Sequence, residues 1–428
     1  MEAYRKCAEE MLDFIEKSPT SFHAVANVEK VLEEQGFIRL DEAKSWKLEP
    51  GKGYVVTRND SSLMAFRMPG DGEPKGFHIA AAHGDSPSFK IKEGPEITAE
   101  KAYLKLNTEK YGGMILTSWM DRPLSLAGRV AVKGKHGIET RLVNLEEDLL
   151  VIPSVAVHLK QDADKGGLNP QTDMLPLYGE CGTEEKKGVL MKRIADAAGV
   201  DAEEILGHDL FLYTRQPGRI WGEDGVFVLS PRLDDLQCVY ACMKAFADHV
   251  PEKYINVCAV FDNEEVGSGT KQGANSTFLE DTLWRIGESM GMERSRFLQM
   301  IAGSFLISAD NAHAVHPNRP EKADPTNRPY LNRGIVIKFH GSQKYATDAV
   351  SAARMREICR EAGVPCQTYA NRSDIAGGST LGNISTAHVS VSSVDIGLPQ
   401  LAMHSAVETA GIKDTKYAVD ALGVFFGK

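Results

Sequence analysis

Four apolar runs in this chain end on or lead toward a histidine or a carboxylate, and that arrangement constrains the fold more than any other feature. FHIAAA (77–82) leads into His83-Gly84-Asp85, INVCAVF (255–261) into Asp262-Asn263-Glu264-Glu265, and SFLISA (304–309) into Asp310-Asn311-Ala312-His313, while VSVSSVDI (389–396) is followed by a loop reaching His404. Short runs of this kind, rich in Val, Ile and Phe, read as strands buried on both faces. Helical patterns lie among them, notably LDDLQCVYACMKAF (233–246) and VSAARMREICREAG (350–363), with a further strand-like run, GIVIKFH (334–340). Such alternation predicts an α/β fold built on a doubly wound mixed sheet. Ligands of open α/β sheets bind beyond the carboxyl ends of strands, so the polar ends of the runs are expected to share one site.

The opening segment fits the same layer. Met11, Leu12 and Ile15 fall on one helical face, and Val25, Val28, Val31 and Leu32 on another. Ser21 is expected to cap the second helix and Gly36 to end it, before the strand-like runs YVVTR and SLMAFRM. From 92 to 219 the texture changes to short β-rich pieces between Gly, Pro and charged turns, among them AYLKLN, MILTSWM, GRVAVKG and VIPSVAVHLK. The reading is therefore an α/β domain made of 1–91 and 220–428, carrying the polar strand ends, with an inserted β-rich domain at 92–219. A chain of 428 residues readily accommodates two domains.

Composition narrows the function. Apolar residues at 42% and charged residues at 25% are ordinary for a folded, soluble chain. A net charge of −10 with no dense Lys/Arg cluster excludes nucleic acid as a partner. The first residues, MEAYRKCAEEMLDFIEKS, contain neither a continuous apolar stretch nor a small-residue cleavage site, so no export signal or membrane span is expected. The seven cysteines are scattered without a CxxC pair, which points to reduced thiols in the cytoplasm and against a cysteine zinc site.

Taken singly, the polar strand ends carry little: a Glu-Glu pair is ordinarily a solvated face, and a lone histidine a hydrogen-bonded structural residue. Asp234 and Asp235 begin a helix whose apolar residues Leu236, Val239, Tyr240 and Met243 follow helical spacing. An Asp there can cap the free N–H groups, or the same placement can aim a carboxylate at a metal; both readings stand. Taken together, two histidines and three carboxylates form a ligand set suited to zinc, cobalt or manganese. If one carboxylate bridges, that set holds two divalent ions about 3.5 to 4 Å apart, enough to bring a water's pKa to about 7.

These residues sit in motifs that resemble the aspartyl aminopeptidase and vacuolar aminopeptidase I family of co-catalytic zinc metallopeptidases. The matching pieces are SPTSFHAV, HGDSP, NPQTDMLP, SPRLDDL, FDNEEVGS, SADNAHAVHPN, SQKYATDA, SDIAGGSTLG and LPQLAMHSAVE, in the family's order over nearly the whole chain. The resemblance implies a zinc-peptidase-type catalytic domain with His83, Asp234 and Asp310 on one ion and Asp234, Glu265 and His404 on the other. It makes Glu264 the general base and Asp85 the residue that orients His83. Two positions depart from the family's pattern: Gly84 stands where threonine is usual, and Asp235 where asparagine is usual. Asp235 adds a negative charge beside the bridge and could compete for it.

For the substrate, the resemblance points to His313, Lys338 and Tyr345, with SDIAGGST forming part of the pocket wall. Lys338 could pair with an acidic first residue, giving an aminopeptidase for N-terminal Asp or Glu of short peptides; the ordinary alternative is a surface lysine. Broad neutral specificity, or another two-metal amide hydrolysis such as carboxypeptidase or deacylase action, is the competing reading, and a non-catalytic assembly protein on the same fold is another. His158 alternates with Val155 and Val157 as a strand residue would. The resemblance instead implies a tetrahedral homo-dodecamer in which His158 reaches a neighbouring subunit's active site.

Overall fold

The computed structural model describes residues 1–135, 137–159, 167–181 and 187–428. Two compact units emerge: Met1–Asp85 with Gly218–Met403 and Glu408–Lys428, and Ser86–Pro217 with His404–Val407. The second unit thus begins before position 92 and ends before 219, and it takes in a short C-terminal segment that the strand-and-turn texture of the insert gave no means of assigning.

The first unit is organised by a nine-stranded mixed sheet. Its strands run in the spatial order Ile38–Arg39, Gly53–Arg58, Ser62–Arg67, Ile255–Phe261, Phe77–His83, Phe305–Ala309, Ser392–Gly397, Ile335–Phe339 and Cys366–Ala370. The middle four are mutually parallel. Successive side chains of a strand point to opposite faces, and the sequence supplies apolar residues to both. Ala80, Ala82, Cys258 and Val260 join one core with the helices Glu2–Glu16, Ser21–Glu34, Leu233–Asp248, Ala349–Ala362 and Asp414–Phe426. Ile79, Ala81, Val257 and Ala259 join the other with Phe278–Ser289, Arg294–Ala302 and Leu381–Ser385. Helices on both faces are what make near-continuous apolar strands tolerable, and the doubly wound α/β expectation holds.

Local endings follow their residues. Asp348 caps its helix by accepting from Ser351 N at 2.7 Å, and Gly363 closes it in the left-handed region. Ser21, expected as a cap, is instead the first residue of its helix; Thr20 holds the cap position and its hydroxyl meets His23 Nδ1 at 2.8 Å.

In the second unit a six-stranded antiparallel sheet runs Gly137–Asn144, Leu124–Gly134, Ile205–Thr214, Ser88–Ala99, Tyr103–Tyr111 and Leu177–Glu180. Gly128 is required there: φ is +156°, and a side chain would strike the backbone of Asp209 on the adjacent strand. Two expected strands are not strands. MILTSWM forms a 3-10 turn, Leu116–Trp119, that buries Trp119, and VIPSVAVHLK contributes one bridge at Val151 before a 3-10 turn at Val157–Leu159. Pro153 interrupts the latter run and removes a ladder donor; Lys160 lies outside the described residues. Among the described residues, no helix is long and apolar enough to cross a membrane.

Candidate metal centre

The strands Ile255–Phe261, Phe77–His83 and Phe305–Ala309 are parallel neighbours, with Phe261 in register with His83 and Ser308 with Ala81. Their carboxyl ends therefore lie side by side, and each ends in a polar group: His83, the Asp262–Glu265 turn, and Asp310. The Asn263 residue in that turn takes a left-handed φ of 62°, which turns the chain sharply and begins the short Glu264–Val266 3-10 helix.

Asp234 and Asp235 come from the start of the helix beside these ends. Both depart from helical φ/ψ, the peptide between them is cis, and the N-cap position belongs to Arg232 without a side-chain cap bond. The two carboxylates differ in setting. Asp235, with no solvent exposure, accepts through Oδ2 from His83 N at 3.1 Å. Asp234 places Oδ1 3.5 Å from His83 Nε2, while its own N–H donates to Glu408 at 3.0 Å.

His83 itself is oriented from below. Its Nδ1 lies 3.0 Å from the Asp85 carbonyl oxygen, which can only accept, so Nδ1 carries a proton, and Nε2, facing Asp234, is the nitrogen left for a cation. The Asp85 carboxylate meanwhile accepts from Glu264 N at 3.1 Å and from Glu265 N at 3.2 Å. One residue thereby ties the imidazole to the turn that carries both glutamates.

Donor atoms of His83, Asp234, Asp235 and Asp310 all lie within 4.8 Å of one another, as do those of His83, Glu264 and Glu265. At that separation two carboxylates repel by about 3.5 kcal/mol at an effective dielectric of about 20, a large share of the roughly 5–15 kcal/mol that holds a domain folded. The strain shows in the titration. Burial first, then repulsion among neighbouring carboxylates, raises Asp235 and Asp310 above the ordinary range and pushes Glu264 up to about 9. Burial works against protonation of His83, yet Asp234, Asp235 and Asp85 more than offset it and raise its pKa. Asp262, which the sequence pattern did not single out, is pushed up to about 7 by burial and by Asp85.

This donor set fits a divalent cation. It is nitrogen and oxygen only, buried, and overloaded with negative charge. Two ligands of a tetrahedral ion bound at about 2.1 Å stand about 3.4 Å apart, close to the 3.5 Å between His83 Nε2 and Asp234 Oδ1.

Lys338 is not a surface lysine. Only 3% exposed, it donates to Asn311 O at 2.8 Å and lies 3.5 Å from Asp310 Oδ1. Burial works against its charge, but Asp310 and its other anionic neighbours hold the ammonium protonated. Its Nζ stands 5.6 Å from the centre of the Tyr345 ring. Tyr345 and the exposed His313 line a cavity of about 460 Å³, walled also by Tyr369, Asn371, Gly377 and Gly378. Asn311 is a second residue that the sequence reading passed over: its side-chain amide donates among Leu233 O, Gln237 and Gln400 and so fixes the segment just after Asp310.

The remaining two expected residues lie in the second unit. His404 has a left-handed φ of 65°, and its carbonyl accepts from Ile115 N at 3.0 Å. His158 is exposed on the Val157–Leu159 turn rather than in a strand.

Comparison with known proteins gives a consistent picture. The family model described as aminopeptidase I zinc metalloprotease (M18) matches residues 14–426. A probable M18 family aminopeptidase 2 of Clostridium novyi (strain NT) is 48% identical over 427 residues, covering 98% of each chain. Among solved structures, a chain of the cryo-EM complex of Ape4 and Nbr1 superposes with a TM-score of 0.95 at 37% identity, over 99% of this chain and 86% of that one. A chain of the S. cerevisiae mApe1 dodecamer superposes with a TM-score of 0.86 at 27% identity, over 99% of this chain and 97% of the other.

Proposed function

The chain belongs to the aminopeptidase I zinc metalloprotease (M18) family and is a zinc metalloaminopeptidase, and from that premise we propose that it removes N-terminal Asp or Glu from short peptides with two divalent ions per subunit. The observation that carries the proposal is the buried convergence of His83, Asp234, Asp235 and Asp310 beside Glu264 and Glu265. Zinc is the leading ion, with cobalt and manganese suited to the same donors. His83, Asp234 and Asp310 would hold one ion, and Asp234, Glu265 and His404 the other. When bound, such ions supply an acidified water and polarisation of the scissile carbonyl.

The chain's own groups do the rest. Glu264, its main chain held by Asp85, takes the proton of the attacking water and returns it to the departing amine. Asp85 keeps the His83 proton on Nδ1, and Asp235 holds the His83 backbone in place.

Lys338 supports the acidic preference because it is a buried, protonated cation beside Tyr345. One observation favours broad neutral specificity instead: the ammonium already has Asn311 O and Asp310 as partners. Lys338→Ala separates the two. Losing one charge-assisted contact to an acidic side chain should cut kcat/KM for Asp amide about 10- to 100-fold more than for Leu amide. Equal losses on both substrates would leave Lys338 as a partner of Asp310 only, and the acidic preference would fall.

For assembly, His158 sits among exposed apolar side chains, with Val155 55%, Val157 76% and Leu159 73% accessible. Such a cluster suits a surface covered by another copy, and we place it in a homo-oligomer, a dodecamer by likeness to mApe1. His158→Ala is expected to lower activity without dissolving the oligomer, whereas Val157→Asp should yield smaller particles by light scattering. A fully active monomer, unchanged by His158→Ala, would refute this. All seven cysteines are free thiols, which supports a cytoplasmic setting.

A further inference from the structure

Asp395 lies on the strand Ser392–Gly397, has no solvent exposure, and does not line the 460 Å³ cavity. Asp395 is among the anionic neighbours of Lys338 and Asp310, and it stands between Val394 and Ile396, core residues of the opposite strand face. A buried carboxylate is retained only where hydrogen bonds offset its desolvation. Those bonds run to two different segments. Oδ2 accepts from Ala346 N at 2.6 Å, and Oδ1 accepts from Thr380 Oγ1 at 2.6 Å. The Asp395 N–H donates to Thr347 Oγ1 at 2.9 Å. Gly382 completes the seat, since a side chain there would collide with the carboxylate.

Each segment is one wall of the cavity. Ala346 follows Tyr345, and Thr380 closes the stretch containing Gly377 and Gly378. The walls also meet directly where Lys344 Nζ donates to Gly377 O at 2.6 Å. A stretch as glycine-rich as Ala376-Gly377-Gly378 has little conformational preference of its own, so its position must come from such anchors.

We infer that Asp395 is a specificity-determining positioning residue, a buried peg that sets the spacing between the Tyr345 wall and the Gly377–Thr380 wall. The inference rests on the reading that this cavity receives the substrate's first side chain. Asp395 touches no substrate; it acts through both walls, and so on substrate binding rather than on the chemical step.

The test uses the zinc-loaded holoenzyme with Asp395→Asn, which keeps one acceptor oxygen, Asp395→Ala, which keeps none, and Thr380→Val, which releases one wall without touching the peg. Peptide-resolved hydrogen exchange should accelerate about tenfold or more at 344–347 and 376–382 in the Asp395 variants while 305–310 stays as in wild type, the signature of a lost buried hydrogen bond. Thr380→Val should accelerate 376–382 alone. With Asp and Leu amides, KM should rise about tenfold and kcat stay within about twofold, Asp395→Ala exceeding Asp395→Asn. Unchanged exchange in both walls overturns the inference, as does a fall in kcat at constant KM. Should wild type hydrolyse neither amide, the substrate reading fails, and the exchange measurement still decides whether Asp395 holds the walls. If Asp395→Ala does not fold, Asp395→Asn and Thr380→Val decide the matter.

Discussion

Glu264→Gln is expected to lower kcat by about 10³-fold, within the 10²- to 10⁴-fold that a positioned general base contributes, while bound zinc remains at the wild-type level. The amide matches the carboxylate in shape but cannot take a proton from water. Positioning should survive the change, because the Asp85 bonds to this turn go to the backbone N–H groups of Glu264 and Glu265 and not to the Glu264 side chain. The variant should also be no less stable than wild type when both are metal-free: a carboxyl group that burial and its neighbours push up to about 9 is being replaced by a neutral group. Two measurements on one preparation settle it, metal content by mass spectrometry and turnover of Asp and Leu amides. Retention of more than about a tenth of wild-type kcat with full metal would remove Glu264 from the role of base.

What made Glu264 legible was its place after an apolar run, and the same signal located His83 and Asp310. Parallel strands put their carboxyl ends on one side, so a sequence that ends adjacent buried strands in polar groups has already placed those groups together. The signal failed where function depends on a residue inside a run. Asp395 interrupts VSVSSVDI, and a carboxylate within a run otherwise of Val, Ile and Ser is the cue that could have found it; the partners Ala346 and Thr380 are 49 and 15 positions away and carry no local mark of the contact. Asn311 and Gln400 are equally silent, because a lone amide in a loop or a short strand is ordinary until the fold supplies its partners. Turns were lost for a related reason. MILTSWM has the composition of a strand, and only tertiary packing of Trp119 against Phe89, with ring centroids 5.4 Å apart, decides for a 3-10 turn. The Asp234-Asp235 pair shows the limit most clearly. Its placement at a helix start is what capping predicts, and only the fold shows that Asp235 gives Oδ2 to His83 N on a neighbouring strand.

That pair supplies the second large effect. Asp234→Asn should lose at least one of the two proposed zinc ions and about 10³-fold in activity, since an ion contributes several kcal/mol of charge stabilisation at about 1.4 kcal/mol per tenfold in rate. Asp235→Asn should cost only about 10- to 100-fold, the usual effect of a group that supports a ligand. The asymmetry comes from what each carboxylate already does. Asp235 gives Oδ2 to the His83 backbone and is fully buried, so part of its capacity is committed to holding the strand end. Asp234 Oδ1 faces His83 Nε2, the ring nitrogen that the Asp85 carbonyl does not engage, at the spacing of two donors around a common cation. An asparagine at 235 can still offer its carbonyl oxygen to His83 N–H, whereas at 234 it removes the charge that a bridging position needs. Zinc stoichiometry by titration reads the difference without relying on turnover. If Asp235→Asn loses metal and Asp234→Asn keeps it, the bridge belongs to Asp235, and the extra carboxylate of this chain has taken over the role.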